Sequence, residues 1–144
     1  MNDVLVTSST EEAHNTAPDL SGQNILLVED NMINRIIANE LLNSTNAHVE
    51  NAENGREAVD KYLASPDGYY RVILMDIQMP VMDGYEASRL IRNSRRKDAS
   101  DIRIIAMTAN IFAQDIAKAR EAGMDGHVAK PIDVTKLMQA LRQV

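Results

Sequence analysis

The chain has no cysteine and no tryptophan, and one phenylalanine among its 144 residues. Without cysteine there is no disulfide, no thiol nucleophile and no thiolate ligand for zinc. Apolar runs are short, as at Ile25–Val28 and Val72–Met75, far below the roughly 20 residues of a membrane-spanning helix. Val4-Leu5-Val6 sits in a polar setting and does not make a secretory leader. Positive charge is in the minority: 15 Lys and Arg face 21 Asp and Glu, a net charge of −6. That balance argues against a general nucleic-acid binder. No Gly-x-x-x-x-Gly-Lys-Ser/Thr pattern occurs, so a P-loop nucleotide site is not expected.

What is present suits one globular domain with a tail. Hydrophobic residues make up 44% of the chain, too many for a disordered chain of this type. Residues 1–22 are rich in Ser, Thr, Asn and Glu and read as a flexible tail or linker; His14 falls there as a solvated side chain. Residues 23–144 read as the domain, with no internal repeat. A cytoplasmic setting is expected for it, with no membrane contact by this segment.

The most informative stretch is Val72–Gly84. Four apolar residues run into Asp76, Pro80 follows, and Asp83-Gly84 opens a new amphipathic segment. An unbroken apolar run fits a parallel strand buried on both faces. Asn24–Val28 is a second such run, ending in Glu29-Asp30. Ile33, Ile36, Ile37, Leu41 and Leu42 recur at helical spacing, so a helix is expected from Asn31 to about Ser44. Residues 47–52 alternate as a less buried edge strand, with His48 exposed. Asn54 and Glu57, then Asp83 and Glu86, have capping-box spacing and start two further helices. The first carries Ala58, Val59, Tyr62 and Leu63 on one side. Arg95-Arg96-Lys97 falls in a polar loop, read as solvated. Ile102–Met107 is a fourth strand ending in Thr108, and Phe112, Ile116 and Ala119 mark the helix after it. Gly126–Ala129 is a fifth strand ending in Lys130-Pro131, and Asp133 caps a last helix. Five strands alternating with five helices predict a parallel sheet with helices on both faces, since parallel strands need crossovers.

In such a sheet the strand ends that carry Glu29, Asp30, Asp76, Thr108 and Lys130 share one edge, where open α/β sheets bind ligands. Unit charges ~4 Å apart repel by roughly 4 kcal/mol at an effective dielectric of 20. Clustered acids therefore raise a pKa or hold a cation. Oxygen ligands without His or Cys favour Mg²⁺. Carboxylates also serve as nucleophiles that form aspartyl phosphates. Each residue has an ordinary reading too: Glu29-Asp30 as a turn, Thr108 as a helix cap, Lys130 as a surface lysine. Their joint placement at four strand ends argues against coincidence.

The segments Val28-Glu29-Asp30-Asn31, Leu74–Gly84, Met107-Thr108-Ala109 and Lys130-Pro131 together resemble the receiver domain of two-component response regulators, over about residues 23–144. The wording around Asp76 is most like receivers of hybrid sensor histidine kinases. The resemblance implies a flavodoxin-like (βα)5 fold with strand order 2-1-3-4-5. It implies that Asp76 accepts a phosphoryl group from a partner phosphohistidine. It implies Mg²⁺ on Asp30, Asp76 and the carbonyl of Gln78, with Glu29 acting through water. Thr108 and Lys130 would contact the phosphoryl group, and a cis Lys130-Pro131 bond would orient the lysine. Gln78 and Asn110 stand where the family tunes dephosphorylation. His127 stands where the family often has Tyr or Phe as a rotamer switch; a strand histidine with no special role is the alternative. The implied partner is a sensor histidine kinase or a histidine phosphotransfer domain, and a monomer is expected. On this reading the domain is no enzyme, beyond assisting its own phosphorylation and dephosphorylation. Two other readings compete. A Mg²⁺-dependent phosphohydrolase would want a second acid two residues after Asp76, where Gln78 stands. An unphosphorylated binding module would not need the acid cluster.

Overall fold

The computed structural model describes residues 17–109 and 112–144. Asn110 and His14 lie outside them. Five strands and five helices alternate: β1 (Asn24–Val28), α1 (Met32–Asn43), β2 (His48–Ala52), α2 (Gly55–Ala64), β3 (Tyr70–Asp76), α3 (Gly84–Arg92), β4 (Arg103–Thr108), α4 (Ala113–Glu121), β5 (Gly126–Ala129) and α5 (Val134–Arg142). The strands form one parallel sheet in the order β2-β1-β3-β4-β5. The alternation is the one expected from the sequence, and the order is the one the resemblance implied.

Successive strand residues point to opposite faces, and here that parity sorts the core into two layers. Leu26, Val28, Ile73, Met75, Ile104 and Ala106 face α2, α3 and α4, meeting Val59, Tyr62 and Ile91. Ile25, Leu27, Val72, Leu74, Ile105 and Met107 face α1 and α5, meeting Leu42, Leu137 and Leu141. Each of the Leu, Ile, Val and Met side chains is worth about 1.5–3 kcal/mol when fully buried, so both layers fix the sheet's register.

The helix starts follow their capping residues. The Asn54 side chain accepts from the Glu57 N–H at 2.8 Å and Asp83 from the Glu86 N–H at 2.9 Å. Asp133 caps α5 through the Thr135 and Lys136 N–H groups. The chain joins the body before residue 23: Leu20 is 7% exposed and its N–H donates to the Thr45 carbonyl at 2.8 Å.

Three details add to the sequence reading or depart from it. In α1 the buried side chains are Ala38 and Leu42, while Ile33, Ile36 and Ile37 face outward. In α2 Leu63 is exposed, whereas Ala58, Val59 and Tyr62 are buried as expected. Arg96 is not solvated. Its guanidinium donates to the Tyr62 and Leu63 carbonyls at the end of α2 and pairs with Asp67 at 2.9 Å.

Candidate functional site

Strand register builds the site. Val28 pairs with Met75, Asp76 with Met107, and Thr108 with Ala129. Continuing those ladders puts Glu29 level with Asp76, Asp30 level with Thr108, and Lys130 one residue beyond. The pleat adds a second constraint. Asp76 shares its parity with Val72 and Leu74, so its carboxylate leaves on the α1 side, as does that of Glu29.

One ligand oxygen from each of Glu29, Asp30 and Asp76 falls within a 4.8 Å group. Glu29 and Asp76 are buried and Asp30 is exposed. Lys130 reaches between the buried pair, with Nζ 2.7 Å from Glu29 Oε1 and 3.1 Å from Asp76 Oδ2. The Lys130-Pro131 peptide is cis. Thr108 is buried at the end of β4. With Asn31, Asn34, Ile77, Gln78 and Ala109, these residues enclose a cavity of about 180 Å³. A wider groove continues from it, through Met79, Pro80, Tyr85, Asp115 and Lys118. Among the described residues, those the sequence pointed to thus gather in one place, apart from His127.

The charges are unequal. Asp76 is pushed up to about 7, first by burial and then by the Glu29 carboxylate, with Lys130 opposing. Burial also pushes Glu29 upward, but hydrogen bonding to Asp76 and Lys130 and the lysine's charge leave it below its ordinary value. Burial pulls Lys130 down, yet its two carboxylate partners hold it above its ordinary value. Two buried acids with one ammonium leave an excess of negative charge, and Asp30 adds more. Hard oxygen donors carrying that excess fit a divalent cation of the Mg²⁺ kind, which takes one or two carboxylates and keeps its other positions for water and phosphate oxygens.

The close approach of α3 depends on a glycine. An added Cβ at Gly84 would collide with the Asp76 carbonyl oxygen and stand 3.0 Å from Ile77 Cα. The Gly84 N–H donates to the Ile77 carbonyl at 2.8 Å, closing the loop after β3.

His127 lies elsewhere. It is exposed on β5 and lines a groove of about 610 Å³ between α4 and α5, with Arg103, Arg120, Asp125 and Lys136. That groove is larger than the acid pocket but, among the described residues, has no comparable acid cluster, so volume does not select the candidate site. Sequence reasoning missed Arg35. Its guanidinium donates to the Glu29 carbonyl at 2.9 Å from one turn inside α1. A basic residue one turn after an acid pair at a helix start was the available signal.

The family described as response regulator receiver domain matches residues 25–142. This chain belongs to that family. Among curated relatives, this receiver is 38% identical over 136 residues to probable histidine kinase 2 of Oryza sativa subsp. indica, covering 87% of the chain and 13% of the relative. It is 36% identical to hybrid signal transduction histidine kinase L of Dictyostelium discoideum, covering 94% of the chain and 8% of the relative. The chain therefore spans roughly a tenth of the length of these relatives. Among solved structures, the receiver domain of sensor histidine kinase PA1611 from Pseudomonas aeruginosa PAO1 is 36% identical with a TM-score of 0.75, covering 85% of this chain and 97% of that one. That structure has a magnesium ion coordinated in its active site cleft. The Ssk1 receiver domain of Saccharomyces cerevisiae, crystallised with the histidine phosphotransfer protein Ypd1, is 30% identical with a TM-score of 0.76, covering 88% of this chain and 89% of that one. No helix among the described residues is long and apolar enough to cross a membrane.

Proposed function

We propose that this receiver is a phosphoacceptor in a two-component phosphorelay, taking a phosphoryl group on Asp76 from a phosphohistidine of a partner protein. The observation that carries the reading is the contact of Lys130 with both Glu29 and Asp76 at the strand ends. A carboxylate oxygen of Asp76 forms the new O–P bond. The N–P bond of the donor breaks, and the imidazole leaves with its electron pair and takes up a proton. Glu29, Asp30, Asp76 and Gln78 would hold Mg²⁺, which when bound neutralises charge on the phosphoryl oxygens. Lys130 supplies a fixed cation to one phosphoryl oxygen and Thr108 a hydroxyl to another. Both residues sit at the ends of the strands flanked by α4 and α5, so phosphorylation biases that surface between two states.

The surround of the pocket suits a protein donor. Met32, Ile33, Ile36 and Ile37 leave an apolar face on α1 beside Asp30 and Asn31, and Val81 and Phe112 add apolar side chains on neighbouring loops. Val81 holds this outward position at φ 68, a region costly for a β-branched residue. An exposed patch continuous with a reactive pocket fits a docking partner, here the helix of a histidine phosphotransfer domain that carries the phosphohistidine. Residues 23–144 form the receiver unit on this reading, with Leu20 packed onto it, within a longer hybrid kinase.

The test is intact mass after incubation with Mg²⁺ and a small phosphodonor, beside Asp76→Asn. One base-labile phosphoryl adduct, absent from the variant, is expected. An adduct that persists in Asp76→Asn overturns the assignment of the acceptor.

A further inference from the structure

We propose that Arg35 is a positioning residue for the acid pocket, holding the main chain at Glu29 so that the Glu29–Asp30 turn presents its carboxylates to a divalent cation. This rests on the reading of the pocket as a Mg²⁺ site.

Glu29 and Asp30 lie beyond the last ladder pair of β1 and before the cap of α1. Regular secondary structure therefore does not fix the carbonyl between them. Arg35 does: its Nη1 donates to the Glu29 carbonyl at 2.9 Å. On the other side, the Glu29 N–H donates to the Ala52 carbonyl at 3.0 Å. The peptide groups flanking Glu29 are thus held from both directions. The second arm of the guanidinium, Nη2, lies 3.3 Å from Glu53 Oε1, one residue past Ala52. The fork ties the turn after β1 to the turn after β2. A planar fork can make both contacts at once, and a lysine ammonium cannot do so with the same geometry.

Electrostatics alone would not place a cation here for the benefit of Mg²⁺. Arg35 repels a divalent ion in the neighbouring pocket. Its side chain is nonetheless only 17% exposed, turned inward onto the turn that carries the ligands. The benefit is geometric, because metal ligands depend on the groups that orient them, and loss of such groups typically lowers metal affinity by roughly 10–100-fold.

The experiment is calorimetric titration of Mg²⁺ into the whole chain as wild type, Arg35→Lys and Arg35→Met, each with a thermal unfolding trace. Both variants are expected to bind Mg²⁺ at least roughly tenfold more weakly. Small-donor phosphorylation should recover towards the wild-type rate when Mg²⁺ is raised to saturation. The direction is decisive for Arg35→Met, since removing a nearby positive charge would by itself tighten Mg²⁺ binding. Equal or tighter binding in that variant overturns the proposal, as does wild-type affinity in Arg35→Lys, which keeps the charge and loses the fork. If Arg35→Met does not fold, Arg35→Lys decides alone. A wild-type protein that binds no Mg²⁺ would sink the cation reading of the pocket and this inference with it. Unaltered affinity in the variants, with normal binding by the wild type, sinks the inference alone.

Discussion

Replacing Asp76 by asparagine should stabilise the protein when no divalent cation is present, and the gain should depend on pH. Asp76 is 4% exposed, and burial, followed by the adjacent Glu29 carboxylate, pushes its carboxyl up to about 7 from an ordinary 3.8. Between those values the folded protein keeps a proton that the unfolded chain has released. Stability therefore falls as pH rises through that window, by up to about 1.4 kcal/mol per pH unit. Below both values each state is protonated and the penalty vanishes; above about 7 it is complete. The full window sets a ceiling of about 4 kcal/mol. The proton belongs to the Glu29–Asp76 pair, and asparagine gives up the 3.1 Å contact with Lys130, so about half of that ceiling, roughly 2 kcal/mol, is expected to remain. Urea unfolding in a chelator should show Asp76→Asn more stable by about this amount near pH 8, with the two proteins converging near pH 4. Saturating Mg²⁺ should narrow the gap by stabilising the wild type. Equal stabilities near pH 8, or a gap that persists near pH 4, would refute the reasoning.

Gly84→Ala should destabilise the fold by roughly 3 kcal/mol, because its Cβ would meet the backbone of Asp76 and Ile77, which cannot move aside without displacing β3; urea unfolding reads this directly. Ile33→Ser with Ile36→Ser should change stability by less than about 0.5 kcal/mol per site, since the side chains are 68% and 59% exposed. The same pair should slow phosphoryl transfer from a histidine phosphotransfer protein by roughly tenfold or more, measured as donor decay, as expected for apolar anchors at a docking surface.

The parts of this molecule legible in the sequence are those set by local pattern. Ile25–Val28 and Val72–Met75 are apolar without alternation because both faces of their strands are covered. The acids at Glu29, Asp30 and Asp76 were readable as strand-end residues because each follows such a run directly. Asn54 and Asp83 announced helix starts through side chains that reach only three residues ahead. Contacts between distant segments were not legible. Arg96 sits in a charge run that reads as solvated, and only the folded chain brings it onto the end of α2, more than thirty residues earlier. Arg35 is one basic residue on a helix until the return of β2 sets Glu53 beside it. Periodicity likewise found the apolar residues of α1 without their direction. Ala38 and Leu42 suffice to seat the helix, and the larger isoleucines point away.

The outward turn of these isoleucines bears on function. A helix that needed its isoleucines for the core would bury them, and the sheet beneath α1 is already covered by Leu42 with Leu137, Met138 and Leu141 of α5. The exposed isoleucines are therefore surplus to folding, and their exposure disfavours solubility. The acid pair disfavours folding in the same way, since burying Glu29 beside Asp76 lifts one of them towards neutrality. Both departures from a sequence made only to fold occur at one edge of one sheet, where Glu29 closely precedes Ile33 along the chain and β3 brings Asp76 beside Glu29. Local rules break together where a site is built, and on the proposed function the break pairs a surface for a protein with a pocket for its phosphoryl group.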